Sequence, residues 1–117
     1  MSEVEQAVEQ LRRHQADQKV LVQAREDAIA LATNPLFKRL ILDGFCTVEC
    51  ARYVQESCDP MLAPHMRADA LAMAQSAGHL KRFLSLAIQI GNTAANNIQQ
   101  ADDEIANILE HGLEGDE

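Results

Sequence analysis

The sequence predicts an all-α fold: a long, heptad-patterned C-terminal helix packed with an N-terminal helix and two short helices, as a coiled-coil-like hairpin or bundle. Three observations predict it. Aromatic residues make up only 3% of the chain and Trp is absent, so core volume must come from Leu, Ile, Val, Met and Ala. Strands favour aromatic and β-branched residues, and helices do not need them. Apolar and small residues recur at steps of 4 and 3 from Met66 to Ile108 without a slip, the 3.5-residue repeat of a left-handed coiled coil. Helix start and stop signals at Ser2, Asn34-Pro35, Asp59-Pro60 and Pro64 divide the chain into a few helical segments.

At 117 residues, one domain over 1–117 is the expectation. A chain this short buries a modest core, so its stability depends on efficient packing or on oligomerisation.

The first helix is predicted over 2–32. Ser2 and Glu5 form a capping box, in which the Ser hydroxyl and the Glu carboxylate satisfy backbone donors at the helix start. Val4, Val8, Leu11, Val22, Ile29 and Ala32 keep a 4-3 rhythm whose missing members are Gln15, Gln18 and Arg25. The seam is apolar with a polar middle, and polar seam positions fix register at some cost in stability.

Two short helices are predicted over 34–58. In the first, Asn34 is the N-cap and Pro35 the first helical residue. It carries Leu36, Phe37, Leu40, Ile41 and Leu42, which read as a plug for the core, and Asp43-Gly44 ends it through a left-handed glycine. In the second, Thr47 caps Val48 to Ser57. Asp59-Pro60 then breaks the chain, since the residue before Pro avoids the α region.

Pro64 opens the long helix, 64–111, roughly 70 Å long at 1.5 Å per residue. Such a helix extends past its own core or packs against another subunit. Its seam is Met66, Ala70, Met73, Ala77, Leu80, Leu84, Ala87, Gly91, Ala94, Ile98, Ala101, Ile105 and Ile108. Gly78 and Gly91 each weaken a helix by roughly 1 kcal/mol relative to Ala and are the positions where any kink or break would fall, so the continuity of the helix there is left open. Phe83 to Ile90 is apolar on nearly every side. Phe83, Leu86 and Ile90 therefore require cover beyond the seam, from the short helices or from a neighbouring subunit. The acidic tail, 112–117, opposes the helix dipole and is expected to fray.

The net charge of −8 disfavours nucleic acid, whose phosphates repel an acidic chain. Arg12-Arg13, Lys38-Arg39 and Lys81-Arg82 are the only paired basic residues, and they read as solvated helix surface. The N-terminal stretch MSEVEQAVEQ is acidic and unlike a signal peptide. No apolar run reaches the ~20 residues of a membrane span. Three cysteines and no sign of secretion point to reduced thiols in a cytosolic compartment.

The cysteines raise the one question of chemistry. Cys46, Cys50, Cys58 and His65 are spaced C-x3-C-x7-C-x6-H. On a helix from Val48 to Ser57, Cys50, Val54 and Cys58 form one buried stripe about 12 Å long. Two thiolates on one tetrahedral zinc lie within roughly 4 Å of each other, given Zn–S near 2.3 Å. Cys50 and Cys58 therefore cannot share a metal; Cys46 stays open beside the turn. His14, His65, His79 and His111 are scattered, and no phosphate loop, HExxH, GxSxG or CxxC is present. Glu26-Asp27 and Asp102-Asp103 diverge by about 100° on a helix and form no dyad. The expectation is a protein that is not an enzyme and has no catalytic residue, metal or cofactor.

The run NPLFKRLILDGFCTVECARYVQESCDP, followed by RADALAMAQSAGHLKRFLSLAIQIGNTAANNI, resembles small helical proteins encoded among the virion-assembly genes of tailed bacteriophages and prophages. The resemblance covers about residues 34–98. It rests on Phe37, Leu40, Asp43-Gly44-Phe45, Ala51-Arg52, Asp59-Pro60 and Gly78-His79-Leu80. It implies a context and no catalytic residue.

The resulting expectation is a non-enzymatic interaction protein of phage particle assembly, scaffold-like, portal-associated or a minor head component, in the virion or the host cytoplasm. It would self-associate through a seam interface of Met66, Met73, Leu80, Leu84, Ala87, Gly91, Ala94, Ile98, Ile105 and Ile108. Its partners would be copies of itself and phage head or portal proteins, with no membrane. The alternatives are an acidic inhibitor of a host factor, and a ligand- or nucleotide-binding oligomer using His79, Lys81 and Arg82.

Overall fold

The computed structural model describes residues 2–113, which are helical throughout except for short connections, with no strand among them. The elements are α1 (Glu3–Thr33), α2 (Pro35–Phe37), a π-helical segment (Lys38–Glu49), α3 (Cys50–Ser57) and α4 (Pro64–His111). The all-α class follows directly, with the long C-terminal helix packing against the N-terminal one.

The ends of the helices follow local chemistry. The Ser2 hydroxyl accepts from the Glu5 N–H at 3.1 Å, which starts α1 as the capping pattern requires. The Asn34 side chain accepts from the N–H groups of Leu36 at 2.9 Å and Phe37 at 3.2 Å, with Pro35 in the first turn. At Asp59-Pro60 the helix stops, and the Asp59 carboxylate accepts from the Met61 N–H at 2.9 Å. Pro64 then opens α4, whose 48 residues run unbroken through Gly78 and Gly91. A glycine in a helix interior costs helix propensity, yet packing and 47 neighbouring residues in one hydrogen-bonded run outweigh it here.

Two boundaries differ from the sequence reading. The chain does not turn at Asp43-Gly44, and Thr47 is not an N-cap. Helix continues from Pro35 to Ser57, with wide π-turns from Lys38 to Glu49. The Thr47 hydroxyl donates backward to the Leu42 carbonyl, five residues earlier, at 2.9 Å, and so supports the wide turn. A Cβ on Gly44 would stand 3.1 Å from the Arg39 carbonyl, also five residues earlier, so the glycine provides room inside the helix. The left-handed glycine of the described chain is Gly112, at φ 85°, whose N–H closes on the Ile108 carbonyl at 2.8 Å. The end of α4 is therefore capped. Most of the acidic tail, residues 114–117, lies outside the described residues.

Contacts gather into two compact units. Unit 1 joins the chain up to Glu26 with the chain from Ala87 onward; unit 2 is Asp27–Leu86.

In unit 1, α1 and α4 run antiparallel, since contacts climb α1 as they descend α4. Val8, Ile105 and Ile108 form the buried cluster, with Val4, Ala7 and Leu11 packed on it. Unit 2 has a different interior. Its buried apolar residues are Ala28, Cys46, Ala70, Ala74, Ala77 and Leu84. Alanines bury little area each, so this interior gains less from the hydrophobic effect per residue than a leucine core would.

Candidate functional site: the helix seam

The seam predicted along α4 is largely turned inward. Leu84, Gly91, Ala94, Ile105 and Ile108 are buried, and Leu80, Ala87 and Ile98 are half-buried. Met66 and Met73 stay exposed, at 48% and 39%. In unit 1 the partner of the seam is α1 of the same chain.

The three polar positions of the α1 seam are its most specific feature. Gln15 is buried at 9% exposure. Its side-chain amide donates to the Ile98 carbonyl at 3.0 Å and to the Asp102 carboxylate at 2.6 Å. One turn on, the Asn97 amide donates to the Gln18 side-chain oxygen at 3.0 Å. Arg25 lies over Gly91 and donates to the Asn92 side chain at 3.2 Å and to Glu26 at 2.9 Å. A Cβ on Gly91 would meet the Arg25 Cβ at 2.2 Å, so only glycine lets the Arg25 stem cross there.

These rungs have a physical role that the small residues cannot fill. Ala87, Ala94 and Ala101 repeat every seven residues. Sliding α1 by one heptad would replace one alanine contact with another. It would leave Gln15 and Arg25 facing the wrong groups, and an unpaired polar group in a seam costs about 1–3 kcal/mol. The hydrogen bonds therefore select one register.

Unit 2 holds the thiols. The Cys46 thiol donates to the Ala77 carbonyl at 3.8 Å, and the Cys50 thiol to the Ala74 carbonyl at 3.6 Å. This reverses the expected stripe: Cys46 is buried, Cys50 is half-buried, and Val54 and Cys58 are exposed. The cause is the continuous helix. Without a turn at Gly44, Cys46 joins the same helical run as Cys50, one turn away on the side that faces α4. Cys58 lies past the end of α3, at the C-cap. Burial pushes the Cys46 thiol above its ordinary pKa, Lys81 pulls it back, and the nearby Cys50 adds to the rise. That thiol is protonated and unreactive at neutral pH. Among the described residues no three His, Cys, Asp or Glu side chains come together as metal ligands.

The expected plug and its cover also differ. Leu36 and Leu40 are 65% and 71% exposed, and Phe83 is 68% exposed. The helical run 35–57 uses its Cys46–Cys50 side to cover the alanines of α4, so it does not cover Phe83. His79, Lys81 and Arg82 are all exposed on α4. The π-turns and the hydrogen bonds of Gln15 were not legible as such; the gaps at Gln15, Gln18 and Arg25 in an otherwise apolar rhythm were the available signal.

No protein-family model, curated protein or solved structure matches this chain. Among the described residues, no helix is long and apolar enough to cross a membrane.

Proposed function

We propose that this chain is a non-catalytic helical interaction protein that acts by binding copies of itself, in the context of phage particle assembly. One observation carries the reading: the net charge resides in one unit, and most of the exposed large apolar side chains, eleven of sixteen, reside in the other. Unit 2 has six Lys or Arg against six Asp or Glu, and unit 1 has four against twelve, so the whole net charge of −8 resides in unit 1. Unit 2, neutral, also presents Leu36, Leu40, Val48, Met61 and Phe83 at 65% exposure or more. A neutral surface with large exposed apolar side chains is suited to association with its like, whereas an acidic one repels its copy. The virion-assembly context is supported by the resemblance over residues 34–98. Light scattering across a concentration series tests the association, and mass spectrometry of purified particles tests the context. A chain that stays monomeric at hundreds of micromolar and is absent from particles would sink the proposal.

The acidity of unit 1 favours a second reading, in which the chain occupies the basic site of a host factor. That reading requires a host-lysate partner that is released by salt, together with absence from particles.

A further inference from the structure

The outward face of the helical run Pro35–Ser57 carries the most specific arrangement on the surface of unit 2. Cys46 points inward at 7% exposure, and Leu40 and Val48 point away at 71% and 65%. Between them, one turn from each, stands Gly44. Leu36 lies one turn before Leu40 and is 65% exposed. The face is thus an aliphatic strip, Leu36–Leu40–Gly44–Val48, with its smallest residue at the centre.

The charges on the run are divided by that same centre. Before Gly44 are Lys38 and Arg39 against Asp43, a net of +1; after it are Glu49 and Glu56 against Arg52, a net of −1. Arg52 is engaged within its own helix, with its guanidinium bonded to both Glu49 and Glu56, so two carboxylates share one cation at that end. About Gly44, Leu40 mirrors Val48 and Arg39 mirrors the oppositely charged Glu49.

We propose that this face binds the same face of a second copy, in an antiparallel, two-fold pair centred on Gly44. It rests on the self-association reading above and names its surface and geometry. A two-fold axis at Gly44 sets Leu40 of one chain opposite Val48 of its partner, and Arg39 opposite the partner's Glu49. Leu36 then meets the aliphatic stem of Arg52. Gly44 against Gly44 lets the two backbones approach closely, as small residues do at helix crossings. A parallel pair would stack Lys38 and Arg39 on their own copies and carboxylates on carboxylates, which is unfavourable. A closed two-fold pair also leaves no unsatisfied copy of the face for further growth.

The experiment is sedimentation equilibrium on the full chain and two variants, with helicity followed by circular dichroism. The wild type is expected to form a dimer. Leu40→Glu is expected to weaken it by roughly 100-fold or more, because each interface would bury two unpaired carboxylates. Its helicity stays unchanged, since Leu40 is 71% exposed in the single chain. Arg39→Glu is expected to weaken it by about 10-fold, and adding Glu49→Lys to restore most of the loss. On a Cys58→Ser background, Leu40→Cys mixed with Val48→Cys is expected to cross-link only as the mixed pair. If the wild type stays monomeric, the self-association reading falls and this surface with it. If it associates and Leu40→Glu associates equally well, self-association stands and this surface is wrong. Cross-linking of Leu40→Cys to itself would overturn the antiparallel geometry.

Discussion

In unit 1, α1 and α4 are held by side chains that hydrogen-bond across the seam, and in unit 2 the elements meet through alanine and thiol. Gln15, Gln18 and Arg25 each have a named partner on α4. Cys46 and Cys50 instead donate weakly to backbone carbonyls. The difference teaches that two parts of one heptad seam can serve opposite needs. Unit 1 is specified from within and carries the charge; unit 2 is filled mainly by alanine, is neutral, and leaves more of the large apolar side chains outside.

The largest effect that tests this contrast is expected at Ile105, which sits in the buried cluster with Val8 and Ile108. Ile105→Ala should lose about 2–5 kcal/mol in urea unfolding. A loss below that range would mean that the unit 1 cluster holds little.

The sharpest comparison is one substitution made once in each unit. Gly91→Ala forces a Cβ to within 2.2 Å of the Arg25 Cβ, which is near the backbone and has little freedom to move. It should destabilise by about 1–3 kcal/mol despite the gain in helix propensity. Gly78→Ala meets nothing within 4 Å and should stabilise by up to about 1 kcal/mol. Equal signs for the two would show that the register at Arg25 is not as described.

Gln15→Ala removes two hydrogen bonds from the seam and should lose about 1 kcal/mol. Its more telling readout is register: cysteines placed on α1 and α4 should cross-link at one position in the native chain and at positions a heptad apart in the variant.

The smallest effect concerns pH. The folded Cys46 thiol has a raised pKa, so the folded state holds its proton more tightly than the unfolded state does. Its contribution is complete below the unfolded thiol value of about 8.5 and is lost as pH climbs through the folded value. This contribution should be flat near pH 7 and fall above about pH 8.5, and Cys46→Ala should remove that part of the fall. Cys58, exposed, should alkylate first and Cys46 last.

Much of the fold was legible because its signals are local. The starts at Ser2 and Asn34 and the break at Asp59-Pro60 depend on one side chain bonding backbone within a turn, and the start at Pro64 on the fixed φ of the ring; the structure uses each of them. The polar gap in the α1 rhythm was legible as a device for register, though its partners on α4 were not. The exposed side chains of the run 35–57 were the main surprise: a dense apolar cluster in sequence reads as core, yet only one side of a helix can face inward.

What the sequence by itself determined is the class, the helix ends and the 3.5-residue seam, since capping and periodicity act over a few residues. Only the tertiary structure decided that Gly44 lies inside a helix, that Cys46 faces α4 and not Cys58, and that Arg25 crosses Gly91. Those outcomes depend on which side of each helix meets another segment far away in the chain. A change of turn width from α to π rotates every side chain beyond it, and no local pattern records that rotation.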